Sequence, residues 1–416
     1  MSFIYRIISE LFLVISPLII IFRILKKKED FRRFYERYGI KSEKRVEGNL
    51  IWFHCSSVGE LLSIIPLVEK LEQNSKIHQI LVTTTTLSSS KIFQKLKLKK
   101  TIHQFFPIDN KLIIKKFINY WRPSVFFLCE SEIWPNLIEI INQQNIKFIL
   151  INGRMTLRSF KKWKKVKSFS NKIFKKIDLC LVQNSETQKR LSVLGVKKIK
   201  NFGNLKFTTR KKIKSEKLEQ RVLNFLKKKR ILIVCASTHF NEEDFIINSH
   251  LFFKNVKKMK NIISIIVPRH IERAEQIKKD AERSSLKVHL HSSKNKINKY
   301  SDIYIVDTYG DLNKFYKISK LVFMGGSLIK HGGQNPLEPA KLGCKIIHGP
   351  NTSNFNEIYL KLKNMKISQI FNNYNNGIKI IGKFKDKKQL IFENKKLIKY
   401  GKKILNSTYQ EIVRFV

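Results

Sequence analysis

The chain has no C-x-x-C pair, no RRM, KH or helix-turn-helix pattern, and no low-complexity tail. Its five cysteines, Cys55, Cys129, Cys180, Cys235 and Cys344, are odd in number, and each sits in or at the end of an apolar run. A free cysteine in such a run behaves as a small hydrophobe. These features exclude a disulfide framework and a zinc site, and they imply a reducing compartment. Acidic residues are scarce as well: 32 stand against 82 basic ones, a formal charge of +50. That balance first suggests nucleic acid. The lysines, however, run along the whole chain together with an excess of Ile and Asn, which marks a composition bias spread over solvated faces. No nucleic-acid partner is expected. What remains is a field that favours an anionic membrane surface or a phosphorylated substrate.

What is present is enough apolar material for cores: 43% hydrophobic residues, which excludes a disordered chain. At 416 residues the default is two domains. Residues 3–25 are largely apolar, and a span of roughly 20 such residues can cross the hydrocarbon core. No small-residue cleavage site follows, so a signal anchor is expected rather than a removed signal peptide. The basic cluster Arg23, Lys26, Lys27, Lys28, Arg32 and Arg33 should stay on the cytoplasmic side. Pro17 and the interior charges Arg6 and Glu10 leave a shallow interfacial helix open.

From residue 49 onward, short apolar runs alternate with amphipathic ones. NLIWFHC, HQILVTTTT, HQFFP, SVFFLCE, KFILING and DLCLVQN read as strands, with helices at 60–73, 110–121 and 161–176. After a charged interval at 211–230, RILIVCAST, NIISIIVPRH, IYIVDTYG, LVFMGG and CKIIHGP repeat the pattern, and 387–416 reads as a helix. Alternation with fully apolar strands predicts parallel, doubly wound α/β sheets. Two such halves predict a cleft, with ligands at the carboxyl ends of the strands.

The densest motif is FMGGSLIKHGGQNPLEPAKLGCKIIHGPN, residues 323–351. Paired glycines after a strand let the backbone come close to a ligand. Pro336 suits the start of a helix, and a glycine-rich loop entering a helix is a ready anion site. Glu338, expected to be buried, could accept hydrogen bonds from ribose or base hydroxyls. HCSSVGE puts Glu60 at the end of the first strand of the body. There it fits either a general base or the closing member of a capping box with Ser56 or Ser57. ESEIWPNL puts Glu130 and Glu132 at another strand end, where burying acids is costly without partners. Asn152 and Arg154 follow the next strand, and Lys206 in GNLKF stands at the junction of the halves. In the second half, Pro268-Arg269-His270 and Asp307 to Asp311 end strands, and Arg269 can grip a phosphate bidentately. His239, His270 and His331 sit on separate loops, so hydrogen bonding is expected of them rather than metal binding.

HCSSVGE, ESEIWPNL, INGRMTLRS, GNLKF, ASTH, VPRH, DTYGDL and GGSLIKHGGQNPLEPA, in this order and spacing, strongly resemble the 3-deoxy-D-manno-octulosonic acid (Kdo) transferases of lipopolysaccharide synthesis. The similarity runs along essentially the whole chain; Gln334 stands where the family usually has His. The resemblance implies a GT-B glycosyltransferase with an anchor (1–30), an acceptor domain (31–208) and a CMP-sugar-binding domain (209–416), both domains Rossmann-like. It implies metal-free, inverting transfer of Kdo from CMP-Kdo to the lipid A precursor, lipid IV-A, at the cytoplasmic face of the bacterial inner membrane. Beyond the donor it implies no cofactor, and no obligate protein partner is evident. It gives Glu60 the role of base, and Glu130 and Lys206 that of stabilising the transition state. CMP would be held by Pro268, Arg269, Tyr309, Gly310, Asp311, Asn335, Pro336, Leu337 and Glu338. A GT-B enzyme using another nucleotide sugar is the alternative.

Overall fold

The computed structural model describes residues 2–208, 217–384 and 387–416. The chain forms two compact units, Met1–Lys211 with Tyr400–Val416, and Lys212–Lys399. Residues 211–216 of the charged interval lie outside the described residues. Its remainder carries the helix Gln220–Lys227.

In the first unit the apolar runs become β1 (Leu50–Cys55), β2 (Gln79–Thr84), β3 (Thr101–Phe105), β4 (Val125–Cys129), β5 (Lys147–Gly153), β6 (Leu179–Val182) and β7 (Ile199–Asn201). They form one sheet in the order β3-β2-β1-β4-β5-β6-β7, every pair parallel. β1, β2 and β4 are buried along their whole length, as expected when helices cover both faces. Trp52 of β1 meets Phe126 of β4 with ring centroids 4.3 Å apart and Phe117 at 5.0 Å. Each such fully buried aromatic or aliphatic side chain contributes about 1.5–3 kcal/mol. The helix expected at 161–176 is two helices, Leu157–Lys165 and Lys167–Phe174, broken at Val166.

The second unit repeats the plan with β8 (Arg230–Thr238), β9 (Ile262–Pro268), β10 (Val288–Leu290), β11 (Ile303–Ile305), β12 (Leu321–Met324), β13 (Lys345–His348) and β14 (Ser368–Ile370). Its parallel sheet runs β10-β11-β9-β8-β12-β13-β14. Both sheets therefore reverse their winding, between β1 and β4 and between β8 and β12, and a crevice opens at the carboxyl ends of the strands flanking such a reversal.

The C-terminal helix, Lys387–Ile412, leaves the second unit and ends in the first. Its Tyr400 ring packs edge-on against Phe207 at 5.3 Å, and Lys200 pairs with Glu411 at 2.7 Å. The part of this helix from Tyr400 onward thus braces β7 and the segment that carries Lys206.

Candidate active site

Glu60 and Glu130 stand at the reversal of the first sheet, just past β1 and β4. The helix Val58–Leu71 starts at Ser57, whose hydroxyl oxygen accepts from the Glu60 amide, while the Ser56 amide donates to Glu60 Oε2 at 2.8 Å. Glu60 thus takes part in closing the start of the helix and is also buried, at 8% exposure. Among the described residues, no hydrogen bond is made to its second oxygen. Burial pushes its carboxyl up to about 7; the Ser56 amide opposes the shift, and the Glu130 and Glu132 charges add to it. A carboxyl there holds or releases a proton near neutrality.

Glu130 lies in the left-handed region, φ 63°, one residue past β4, and Asn152 in β5 does so too, at 52°. Non-glycine residues rarely sit there, and such strain concentrates at functional sites. Glu130 is buried and its Oε1 lies 2.6 Å from Lys206 Nζ. Asn152 Oδ1 accepts from the Leu205 amide at 2.9 Å, and Gln183 donates to the Asn152 carbonyl and accepts from Asn204. The chain around Lys206 is therefore fastened to the ends of β5 and β6. The structure unites Glu60, Glu130 and Lys206; Gln183 and Asn204 were not singled out beforehand, because polar residues at short loops carry no periodic signal. His54 is wholly buried, stacked on Phe106 with centroids 3.8 Å apart, and is 3.8 Å from Glu132, too far for a hydrogen bond. Burial pushes its imidazole below the usual range, so it serves as core.

In the second unit the glycine-rich loop departs from expectation. The amides of Gly326, Ser327 and Leu328 donate at 2.6, 3.0 and 2.9 Å to the carboxylate of Glu242, which also accepts from the His239 amide. Glu242 is fully buried. The anion cradle at the first glycine pair is thus filled by the protein's own carboxylate, which takes up its amide donors. Gly325 is required for close packing, since a Cβ there would collide with the Ser237 carbonyl at the end of β8. Glu338 keeps an exposed edge rather than full burial, yet desolvation by its surroundings pushes its carboxyl upward against the opposing Lys341 charge. Its helix is one turn long, Leu337–Lys341, with Pro336 as N-cap and Leu337 buried. Asn335 is exposed, and its side chain accepts from the Leu337 amide at 3.1 Å.

Beside the closed cradle lies an open cationic surface. The His239 ring stands 4.3 Å from His331 and 6.1 Å from His270, and Gln334 reaches His239 at 3.1 Å. Burial, then the neighbouring His331, His270, Arg269 and Arg273, push the His239 imidazole down to about 4. Arg269, just past buried Pro268, is exposed, and its guanidinium makes no hydrogen bond or ion pair among the described residues. Tyr309 is 69% exposed, and Gly310 has φ 94° with open space where a Cβ would stand. Asp311 is held by Thr308, by Lys314 at 2.7 Å and by His291 at 3.6 Å. This surface presents the Arg269 guanidinium beside open backbone at Gly310. The three histidines do gather, but no group of histidine, cysteine and acidic side chains among the described residues is arranged to hold a metal ion. A concavity of about 910 Å³ lies elsewhere, at the starting ends of β8 and β12 beside Ile231 and Leu321, away from the strand ends where these polar groups converge.

Comparison with known proteins agrees. Residues 32–209 match the family model described as 3-Deoxy-D-manno-octulosonic-acid transferase (kdotransferase). The 3-deoxy-D-manno-octulosonic acid transferase of Rickettsia bellii is 35% identical over 356 residues, 85% of this chain and 84% of that protein. That of Haemophilus influenzae is 31% identical over 85% and 84%, and a probable mitochondrial one of Arabidopsis thaliana is 31% identical over 86% and 82%. Among solved structures, the glycotransferase of kitacinnamycin superposes with a TM-score of 0.53 at 10% identity, over 89% of this chain and all of that one. UDP-GlcNAc 2-epimerase from Neisseria meningitidis gives 0.54 at 12%, over 88% and 99%. These likenesses concern the fold alone, the GT-B architecture of two Rossmann-like units. With its acidic pair and lysine at one sheet reversal and its cationic surface at the other, the chain belongs to the Kdo transferase family of glycosyltransferases.

Proposed function

We propose that the protein transfers Kdo from CMP-Kdo to a hydroxyl of the lipid A precursor lipid IV-A, with inversion at the anomeric carbon and without a metal ion. The observation that carries this reading is Glu60, a carboxyl whose proton affinity burial has brought near neutrality. Glu60 takes the acceptor O–H proton as the hydroxyl oxygen bonds to the anomeric carbon. The bond from that carbon to the phosphate oxygen breaks, and CMP departs with the electron pair. Lys206, fixed against Glu130, adds a positioned positive charge. A fixed charge of this kind needs no reorganisation during the reaction, which makes it effective in a desolvated site.

Arg269 and the histidines around His239 would take the phosphate, and Tyr309 to Asp311 with Asn335 to Glu338 the nucleoside. The basic flank and apolar helix at the N-terminus would attach the protein to the bacterial inner membrane, with its catalytic units in the cytoplasm. Mass spectrometry of the lipid formed from CMP-Kdo and lipid IV-A by the full-length protein in detergent tests the whole reading. A mass gain of Kdo units, unaffected by EDTA, is expected. Absence of product, with turnover of another nucleotide sugar, would replace it by a different GT-B specificity.

A further inference from the structure

The N-terminal helix, Ser2–Leu25, is about 36 Å long at 1.5 Å per residue. That length suits a span, but its contacts do not. Tyr5 donates to Asp109 at 2.7 Å, Asn136 donates to Ser9 at 3.2 Å, Ser16 meets Tyr38 at 3.2 Å, and Arg23 donates to Glu29 at 3.0 Å. Ile20 is 7% exposed between them. These positions are spaced by four, seven, four and three residues, so they form one stripe of the helix. From Tyr5 to Arg23 the stripe follows the first unit for about 27 Å. The docking ground is itself built: Asp109 is buried and also accepts from the Asn136 and Leu137 amides.

The opposite stripe is apolar and bare. Ile8, Leu11, Val14, Leu18, Phe22 and Leu25 are 56 to 77% exposed. The helix is thus inverted relative to one on a water-soluble surface, with hydroxyls turned to the protein and aliphatic side chains turned away. Exposed apolar area of this extent calls for a cover.

The charges say what the cover is. Lys26, Lys27 and Lys28 are exposed at one end of the helix. At the other end Tyr5 approaches Phe169 at 6.5 Å, and Phe169 packs on Trp163 of the helix Leu157–Lys165. That helix has no buried residue and exposes Arg158, Lys161, Lys162, Lys164 and Lys165. Basic clusters at both ends fit a helix with both ends at one anionic surface; a spanning helix would carry them at one end. Spanning would also draw Glu10 into hydrocarbon and pull Asp109, Asn136 and Glu29 along with the docked face, at several kcal/mol for each unpaired charge.

We infer that this helix lies in the plane of an anionic bilayer surface, one stripe on the protein and the other in the acyl boundary, and does not cross the membrane. The inference rests on the membrane attachment proposed above and specifies its geometry. The five native cysteines are buried, so introduced thiols can be labelled selectively. Full-length Ile4→Cys, Val14→Cys and Leu25→Cys proteins, each carrying a nitrobenzoxadiazole label, would be bound to phosphatidylglycerol-containing vesicles. Lipids spin-labelled at graded acyl depths then report the position of each label. All three are expected at one depth, about 5–10 Å below the headgroups. Val14 near the bilayer centre, about 15 Å deep, with both ends shallow, would overturn the inference while leaving membrane attachment standing. No quenching at any position would overturn attachment itself. A second arm needs no label. Lys161→Glu with Lys164→Glu should weaken binding to these vesicles roughly tenfold at low salt, with neutral phosphatidylcholine vesicles as the baseline. Unchanged binding would count against the flat orientation, because those lysines adjoin the end that a span would carry away.

Discussion

The two sheet reversals solve opposite problems with the same architecture. In the first unit the strand ends gather acids. Glu130 pairs with Lys206 at 2.6 Å, while burial gives Glu60, held by a single backbone donor, a proton affinity near neutrality. In the second unit the acid is fully spent. Glu242 takes four backbone amides and closes the cradle, and the groups left over are the Arg269 guanidinium and three clustered histidines, of which His239 is kept neutral by burial and its neighbours. On the proposed reading, the first site holds a proton and the second receives an anion. The comparison teaches that a glycine-rich loop is not by itself a phosphate site. Its donors serve a ligand only where the protein has not already used them.

The largest test of this contrast is Glu60→Gln, which removes the base while keeping shape. Turnover should fall by about 10²–10⁴, with CMP affinity by calorimetry within twofold of the parent. Retained turnover would dissolve the distinction between the two ends. Next, Glu242→Ala strands three loop amides and the His239 amide in a buried place. It should lower unfolding stability by about 3 kcal/mol, read by denaturant titration. Tighter CMP binding by the variant would show instead that the cradle is a phosphate site held shut. Arg269→Ala should weaken CMP binding roughly tenfold to a hundredfold and leave thermal stability unchanged. An equal loss in stability would make Arg269 structural.

The smallest effects are in pH. A base works deprotonated, so kcat/KM should rise with pH and level off above about 7. The folded value of Glu60 is raised, so its protonated form favours folding. That contribution is complete below about 4.5 and is lost as pH rises through about 7. Glu60→Gln should therefore gain stability relative to the parent over that interval. A pH-independent difference would mean the carboxyl is not desolvated.

Strand–helix alternation was legible because short, fully apolar runs bounded by turn residues and alternating with amphipathic stretches fit strands buried on both faces. The three-residue edge strands β7, β10 and β14 were not, since so short a run has no period. Glu60 and Glu130 stood out as acids at the ends of apolar runs, whereas Lys206 stood out only by its place at the junction of the halves and by the family resemblance. Glu242 was missed because two acids at a helix start, Glu242 and Glu243, look like ordinary dipole pairing. The part of the chain from Tyr400 onward counts with the first unit, although it reads in sequence as the end of the second half.

Residue order alone determined the repeated α/β plan, the strand-end motifs and the apolar N-terminal segment, because each is a local pattern of hydrophobic spacing. Only tertiary structure decided which carboxylate is spent and which is kept, and which stripe of the N-terminal helix meets protein. Those outcomes depend on partners far apart in the chain: Glu242 and Gly326, Lys206 and Glu130, Tyr5 and Asp109. Hydrogen bonding and desolvation act on distance in space, which local spacing does not encode.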